Sequence, residues 1–146
     1  MFAQFAALAV LLPLALAQST ISPGASNTRC LQPQHGSLLP GTSLVLGPCA
    51  PAAAEQTFFL QNGHIRVFSN QCISIDAAGA VATAECDETN LLSEQQWTYD
   101  GASKTFQSAK GPCLDLAHGN TAVGAKVGTV ACAAGAANQV CVLGGI

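Results

Sequence analysis

The sequence predicts an all-β domain made of three similar units, because three signals recur in step along the chain. The first is a glutamine followed two residues later by a large apolar residue or cysteine. It appears at Glu55-Gln56-Thr57-Phe58, Glu94-Gln95-Gln96-Trp97 and Asn138-Gln139-Val140-Cys141, with the glutamines 39 and 44 residues apart. The second is a cysteine followed by an aliphatic residue, at Cys30-Leu31, Cys72-Ile73 and Cys113-Leu114, 42 and 41 residues apart. The third is a further cysteine 19, 14 and 19 residues later, at Cys49, Cys86 and Cys132. Each signal alone is common, but a fixed period shared by all three marks one supersecondary unit used repeatedly.

The units run approximately over 27–62, 63–102 and 103–146. Within them, short apolar or alternating runs bounded by Gly, Pro, Asn or Ser read as strands. Examples are 43–46, 64–68, 80–84, 97–99 and 126–131. Pro40-Gly41, Gly47-Pro48, Asn62-Gly63, Asp100-Gly101 and Gly111-Pro112 mark turns. The Ala-rich patches at 51–55 and 133–137 are too short for stable helices and read as single helical turns at most. Three such units fit a closed β-trefoil. A propeller needs at least four blades, so the trefoil is the predicted architecture.

The first 17 residues stand apart. Residues 5–16 are almost all apolar, no charged side chain precedes Arg29, and Ala15-Leu16-Ala17 has the small residues of a cleavage site. This reads as a secretory signal peptide over 1–17 followed by a single domain over 18–146, and so predicts an extracellular protein. A spanning helix needs about 20 apolar residues, and Pro13 interrupts this run, so no membrane insertion is expected. The net charge is −3 and only 9% of residues are charged. The five basic residues are scattered and form no footprint for phosphates, so nucleic acid is not an expected partner.

All seven cysteines follow residue 17, and in an oxidising compartment they should form disulfides. Pairing Cys30 with Cys49, Cys72 with Cys86 and Cys113 with Cys132 treats the three units alike. Each closed loop is then worth roughly 3 kcal/mol in the chain-entropy model. Cys141 is left over, at the position where the other units carry Phe58 and Trp97. It reads either as a reactive thiol or intermolecular bridge, or as a small apolar filler of the core, the last being the better fit to buried free cysteine. Phe58 and Trp97 are expected to point into the common core, and each preceding glutamine to satisfy nearby backbone.

With these residues in place, the chain resembles the ricin B-type lectin domain. The resemblance rests on the three Gln-x-aromatic positions, the third of which carries Cys141, on the Cys113-Leu114-Asp115-Leu116 run, and on the tail from Val123-Gly124 through Cys132 to Asn138-Gln139. It covers essentially the whole of 18–146 and is best in the third unit. It implies a β-trefoil that binds galactose-type or related sugars in shallow pockets, up to one per unit. In such a pocket a carboxylate accepts from two sugar hydroxyls, an amide adds a bond, and an aromatic ring stacks on the sugar's apolar face. Carried onto this chain, the third-unit carboxylate is Asp115 and the amide Asn138. His118 rims the pocket, Gln139 braces Asp115 or its loop, and Val130 takes the stacking position. The first and second units carry Gln32 and Ser74 at the carboxylate position and Gly47 and Ala84 at the stacking position, with Asp76 two residues late.

The expectation is therefore a secreted lectin-like module with at most one weak sugar site, in the third unit. A shallow single site near millimolar corresponds to about −4 kcal/mol. The missing aromatic, worth about 0.5–1.5 kcal/mol, is then a large share. The alternative is a protein-binding trefoil such as a protease inhibitor, acting through the loops at 32–40, 87–93 or 133–137. No enzyme is expected, since no nucleophile elbow, zinc helix or phosphate loop occurs. No cofactor or metal is expected either: CxxC pairs are lacking and the histidines are far apart in sequence.

Overall fold

In the computed structural model, which describes residues 18–50, 52–116 and 119–145, the chain is all-β. The expected leader at 1–17 and His118 lie outside the described residues. The strands fall four to a unit. The first unit holds β1 (Gln18–Pro23), β2 (Arg29–Pro33), β3 (Leu44–Pro48) and β4 (Phe58–Gln61). The second holds β5 (His64–Val67), β6 (Gln71–Ile75), β7 (Val81–Glu85) and β8 (Trp97–Asp100). The third holds β9 (Thr105–Ser108), β10 (Cys113–Asp115), β11 (Gly128–Val130) and β12 (Cys141–Gly145).

The outer strands of each unit form a ring. β12 pairs with β1, β1 with β4, β4 with β5, and β8 with β9, all antiparallel. The two remaining gaps are bridged next to the strand ends, where Trp97 N donates to Gly63 O at 2.8 Å and Cys141 N to Lys104 O at 2.7 Å. The inner strands form three hairpins, β2–β3, β6–β7 and β10–β11. These cap the barrel and touch one another through single bridges at Ser43–Ala82, Val45–Lys126 and Ala80–Gly128. This is the predicted β-trefoil. The core runs along its axis through Ile21, Leu31, Leu46, Phe58, Ile73, Trp97, Phe106 and Leu114, among others.

Two expectations need correction. The first unit does not start at Asn27, because β1 precedes it and supplies the strand that closes the ring against β12. Gln18–Pro23 buries one large aliphatic side chain, Ile21, and carries none of the recurring markers. Gly47-Pro48 does not turn the chain but ends β3, where Pro48 faces Arg29 at the hairpin's margin. A proline is tolerated there because the ladder stops.

The glutamines explain why the repeat exists. Gln56, Gln95 and Gln139 are each 2% exposed and each closes a 3₁₀ turn. Gln56 accepts from Ala50 N at 2.8 Å and donates to Pro48 O at 2.8 Å. Gln95 does the same with Asp87 N (2.7 Å) and Glu85 O (2.9 Å), and Gln139 with Ala133 N (3.0 Å) and Ala131 O (2.9 Å). Each amide thus clamps the residues on either side of its unit's second cysteine. That cysteine is bonded to the first: Cys30–Cys49, Cys72–Cys86 and Cys113–Cys132. The apolar residue two positions after each glutamine is buried, at Phe58, Trp97 and Cys141, and the Trp97 indole N–H donates to Ile73 O at 3.0 Å.

Cys141 is a free thiol with no exposed surface. Burial in the apolar core, reinforced by the negative charge of Asp115, pushes its pKa up to about 12. The thiolate is the reactive form. Native protein is therefore expected to leave Cys141 unmodified by iodoacetamide at pH 8, with one thiol labelled per chain once denaturant is added. Labelling at the same rate with and without denaturant would contradict the core placement.

Candidate functional site

The β10–β11 hairpin carries the residues singled out in the third unit. Its register sets Cys113 against Val130, Leu114 against Thr129 and Asp115 against Gly128. Alternate residues on a strand share a face. Asp115 and Val130 therefore lie on one side of the hairpin, and Leu114 points from the other side into the core. Asn138 is brought alongside by its backbone, whose carbonyl accepts from Leu116 N at 2.8 Å. Its side-chain oxygen stands 3.3 Å from where a Cβ on Gly119 would lie. Gln139 braces the β11 end of the hairpin through its clamp on Ala131 and Ala133. Asp115 sits deep, at 4% exposure, and Val130 stands at the rim at 36%.

Gly128 belongs to this arrangement and was not among the residues chosen from sequence. It faces Asp115 directly across the ladder, and nothing lies within 4 Å of where its Cβ would be. The equivalent residues opposite Gln32 and Ser74 are Val45 and Ala82. The third unit thus combines the only carboxylate at that position with the lowest floor.

The other two units are closed to the same use. In the first, Gln32 accepts from Gln56 Nε2 at 2.8 Å, and its amide folds over Gly47 so tightly that a Cβ there would collide with it. Gln32 therefore fills the place that the stacking residue would border. In the second, Asp76 is committed to its own turn, where Oδ1 accepts from Ala78 N at 2.9 Å and Ala80 N at 3.0 Å. A cavity of about 530 Å³ opens elsewhere, between β1, β12 and the Cys30–Cys49 bridge. Among the described residues its walls include Thr20, Ser22 and Val142 but no carboxylate, the group that reads paired sugar hydroxyls in the third unit's arrangement.

Of the loops considered for protein contacts, 87–93 is internally tied. The Asp87 carboxylate accepts from the backbone N–H groups of Thr89 (3.0 Å), Leu91 (2.8 Å) and Leu92 (2.8 Å) and from the Thr89 hydroxyl. Leu91 and Leu92 are left 83% and 49% exposed. These bonds, the Thr89 hydroxyl foremost, lower the Asp87 pKa from 3.8 to about 2. A depressed carboxylate pKa stabilises the loop above the unfolded value and loses that contribution as pH falls through the folded one. Amide protection at Thr89, Leu91 and Leu92 is expected to hold above about pH 4 and to fade between 3.8 and about 2, which hydrogen exchange by NMR reads directly.

The ricin-type beta-trefoil lectin domain matches residues 18–140 of this chain. The chain belongs to that family. Ricin-type lectins and related trefoils also appear among the solved structures that resemble it. The C-half of the earthworm R-type lectin, crystallised with GalNAc, superposes with a TM-score of 0.72 at 19% identity, covering 89% of this chain and 99% of the other. The designed threefold-symmetric protein ThreeFoil gives 0.72 at 18% identity, covering 89% and 99%. The trefoil lectin of the Vibrio vulnificus hemolysin/cytolysin, with N-acetyl-D-lactosamine bound, gives 0.70 at 18%, covering 90% and 96%. At these identities the likeness is one of fold. No relative was found among curated protein sequences. The described residues of this ricin-type domain include no group of three His, Cys, Asp or Glu side chains that could hold a metal ion. They also include no helix long and apolar enough to cross a membrane.

Proposed function

We propose that the chain is a secreted carbohydrate-binding module, not an enzyme, with a single weak site on the third unit that takes galactose-type sugars. The observation that carries this reading is the pairing of Asp115 with Gly128. A deep carboxylate faces an open glycine floor, Val130 shares the face, and Asn138 stands alongside. His118, which the family resemblance assigns to the site, is kept in the proposal. Family membership supports the ligand class, as do the GalNAc and N-acetyl-D-lactosamine held by two fold neighbours. Two adjacent sugar hydroxyls donating to one carboxylate give a charge-assisted contact, stronger than the remaining neutral ones. With Val130 in place of an aromatic ring, affinity stays near millimolar, about −4 kcal/mol.

The test is a titration of methyl galactoside and GalNAc followed by NMR, in the wild type and in Asp115→Ala. Saturable shifts at Gly128, Val130 and Asn138 are expected in the wild type. In the variant they are expected to vanish within the accessible sugar concentration. Binding that survives Asp115→Ala removes this site. For secretion, the N-terminal residue of protein exported from a eukaryotic host is expected to be Gln18. Retention in the cell with 1–17 attached would refute it.

A further inference from the structure

The third-unit site is not built by the third unit alone. Across the cap, the row of paired residues containing Asp115 and Gly128 continues into the second unit. Gly128 is bridged to Ala80, and Asp76 N donates to Ala80 O at 2.9 Å, extending the β6–β7 register by one pair. Residues in one antiparallel row project to the same side of a sheet. Asp115, Gly128, Ala80 and Asp76 therefore line up on one outward face, a row of about 15 Å at the usual strand spacing. Its ends are carboxylates and its middle is a glycine and an exposed alanine. The junction is fixed, since the Thr129 hydroxyl donates to Gly79 O at 2.6 Å. A Cβ on Gly79, at φ +84°, would meet that hydroxyl at 2.9 Å.

The corresponding rows differ. Next to Gln32, Val45 is followed by Lys126, and next to Ser74, Ala82 is followed by Ser43. Only the row that starts from Asp115 runs onto a smooth floor and ends in a second acidic group. That group keeps its place because its Oδ1 caps the turn.

We infer that the site extends over Ala80 to Asp76 and selects a neutral saccharide of at least two linked residues. This rests on the site proposed above. The terminal residue is read by Asp115 over Gly128. The second ring lays an apolar C–H face on the Ala80 methyl group, and its outer hydroxyls reach the Asp76 carboxylate. Lys126, two residues from Gly128, belongs to the neighbouring row that starts from Gln32, where it is bridged to Val45.

Calorimetry or NMR with methyl β-galactoside and lactose tests it, supported by an array of neutral di- and trisaccharides in several linkages. For at least one linked saccharide, the wild type is expected to bind about fivefold or more tighter than the terminal monosaccharide, the effect of one net hydrogen bond. Ala80→Ile, a branched side chain with no ring face to stack on a sugar, stands at an exposed position and should erase that advantage while leaving the monosaccharide unchanged. Asp76→Asn keeps the Oδ1 cap and should reduce the advantage without lowering the melting temperature. If no linked saccharide outperforms its terminal residue, or if Ala80→Ile leaves the ratio intact, the extension is wrong while the Asp115 site stands. If no sugar binds the wild type at all, both fall.

Discussion

Full reduction of the three disulfides is expected to unfold the domain at room temperature. The bridges close loops of 19, 14 and 19 residues. Each contributes about 3 kcal/mol by restricting the unfolded chain, and the three together rival the whole stability of an ordinary domain, about 5–15 kcal/mol. The second cysteine of each pair is at least partly exposed, so a phosphine reductant can reach it. Trp97, 5% exposed in the fold, is the reporter. Its emission should shift to the red on reduction and return on reoxidation. A reduced protein with unchanged Trp97 emission and a cooperative melt within a few degrees of the oxidised one would show that the apolar core suffices alone.

Gln95→Ala is expected to cost about 3 kcal/mol in urea unfolding. The substitution strands Asp87 N and Glu85 O, both satisfied by the buried amide. Each unpaired backbone group costs about 1–3 kcal/mol. Gln95→Glu separates the two halves of the role: a carboxylate still accepts from Asp87 N but cannot donate to Glu85 O, so most of the loss should remain. Because Gln56 and Gln139 make the same pair of contacts, their alanine variants should fall within a similar range. A loss below 1 kcal/mol at all three positions would mean that water replaces the clamp.

Such clamps are the reason the architecture was legible. A buried amide holding the backbone on both sides of a disulfide is sensitive to residue type and spacing, so Gln56, Gln95 and Gln139 stay in step with the cysteines. Phe58 and Trp97 are legible for a related reason: large apolar side chains fill the barrel axis, although Cys141, buried at the equivalent place, shows that a smaller one is accommodated there. β1 escaped because its role is to pair with a strand at the opposite end of the sequence. Pairing leaves its mark on backbone, and Gln18–Pro23 has only Ile21 to advertise itself. Gly47-Pro48 misled because the same dipeptide that starts many turns also ends a strand.

The site divides along the same line. That Asp115 and Val130 share a face follows from even spacing about one hairpin, given the two cysteines as fixed points. That Asp115 faces Gly128 depends on register, and that Gly128 leads to Ala80 depends on a contact between hairpins from different units. Those are tertiary facts. No local pattern around Ala80 or Asp76 distinguishes an ordinary turn from the wall of a neighbour's site.

Ser19 and Gly145 face each other in the ladder that joins the first strand to the last. The barrel is therefore a loop of chain whose opening point is arbitrary, and a polypeptide joined there by a short linker and cut instead at Asn62–Gly63 would traverse the same twelve strands in rotated order. Such a permuted chain would start with the second unit, keep the two hairpins that meet at Ala80 and Gly128 in consecutive units, and leave their contact untouched.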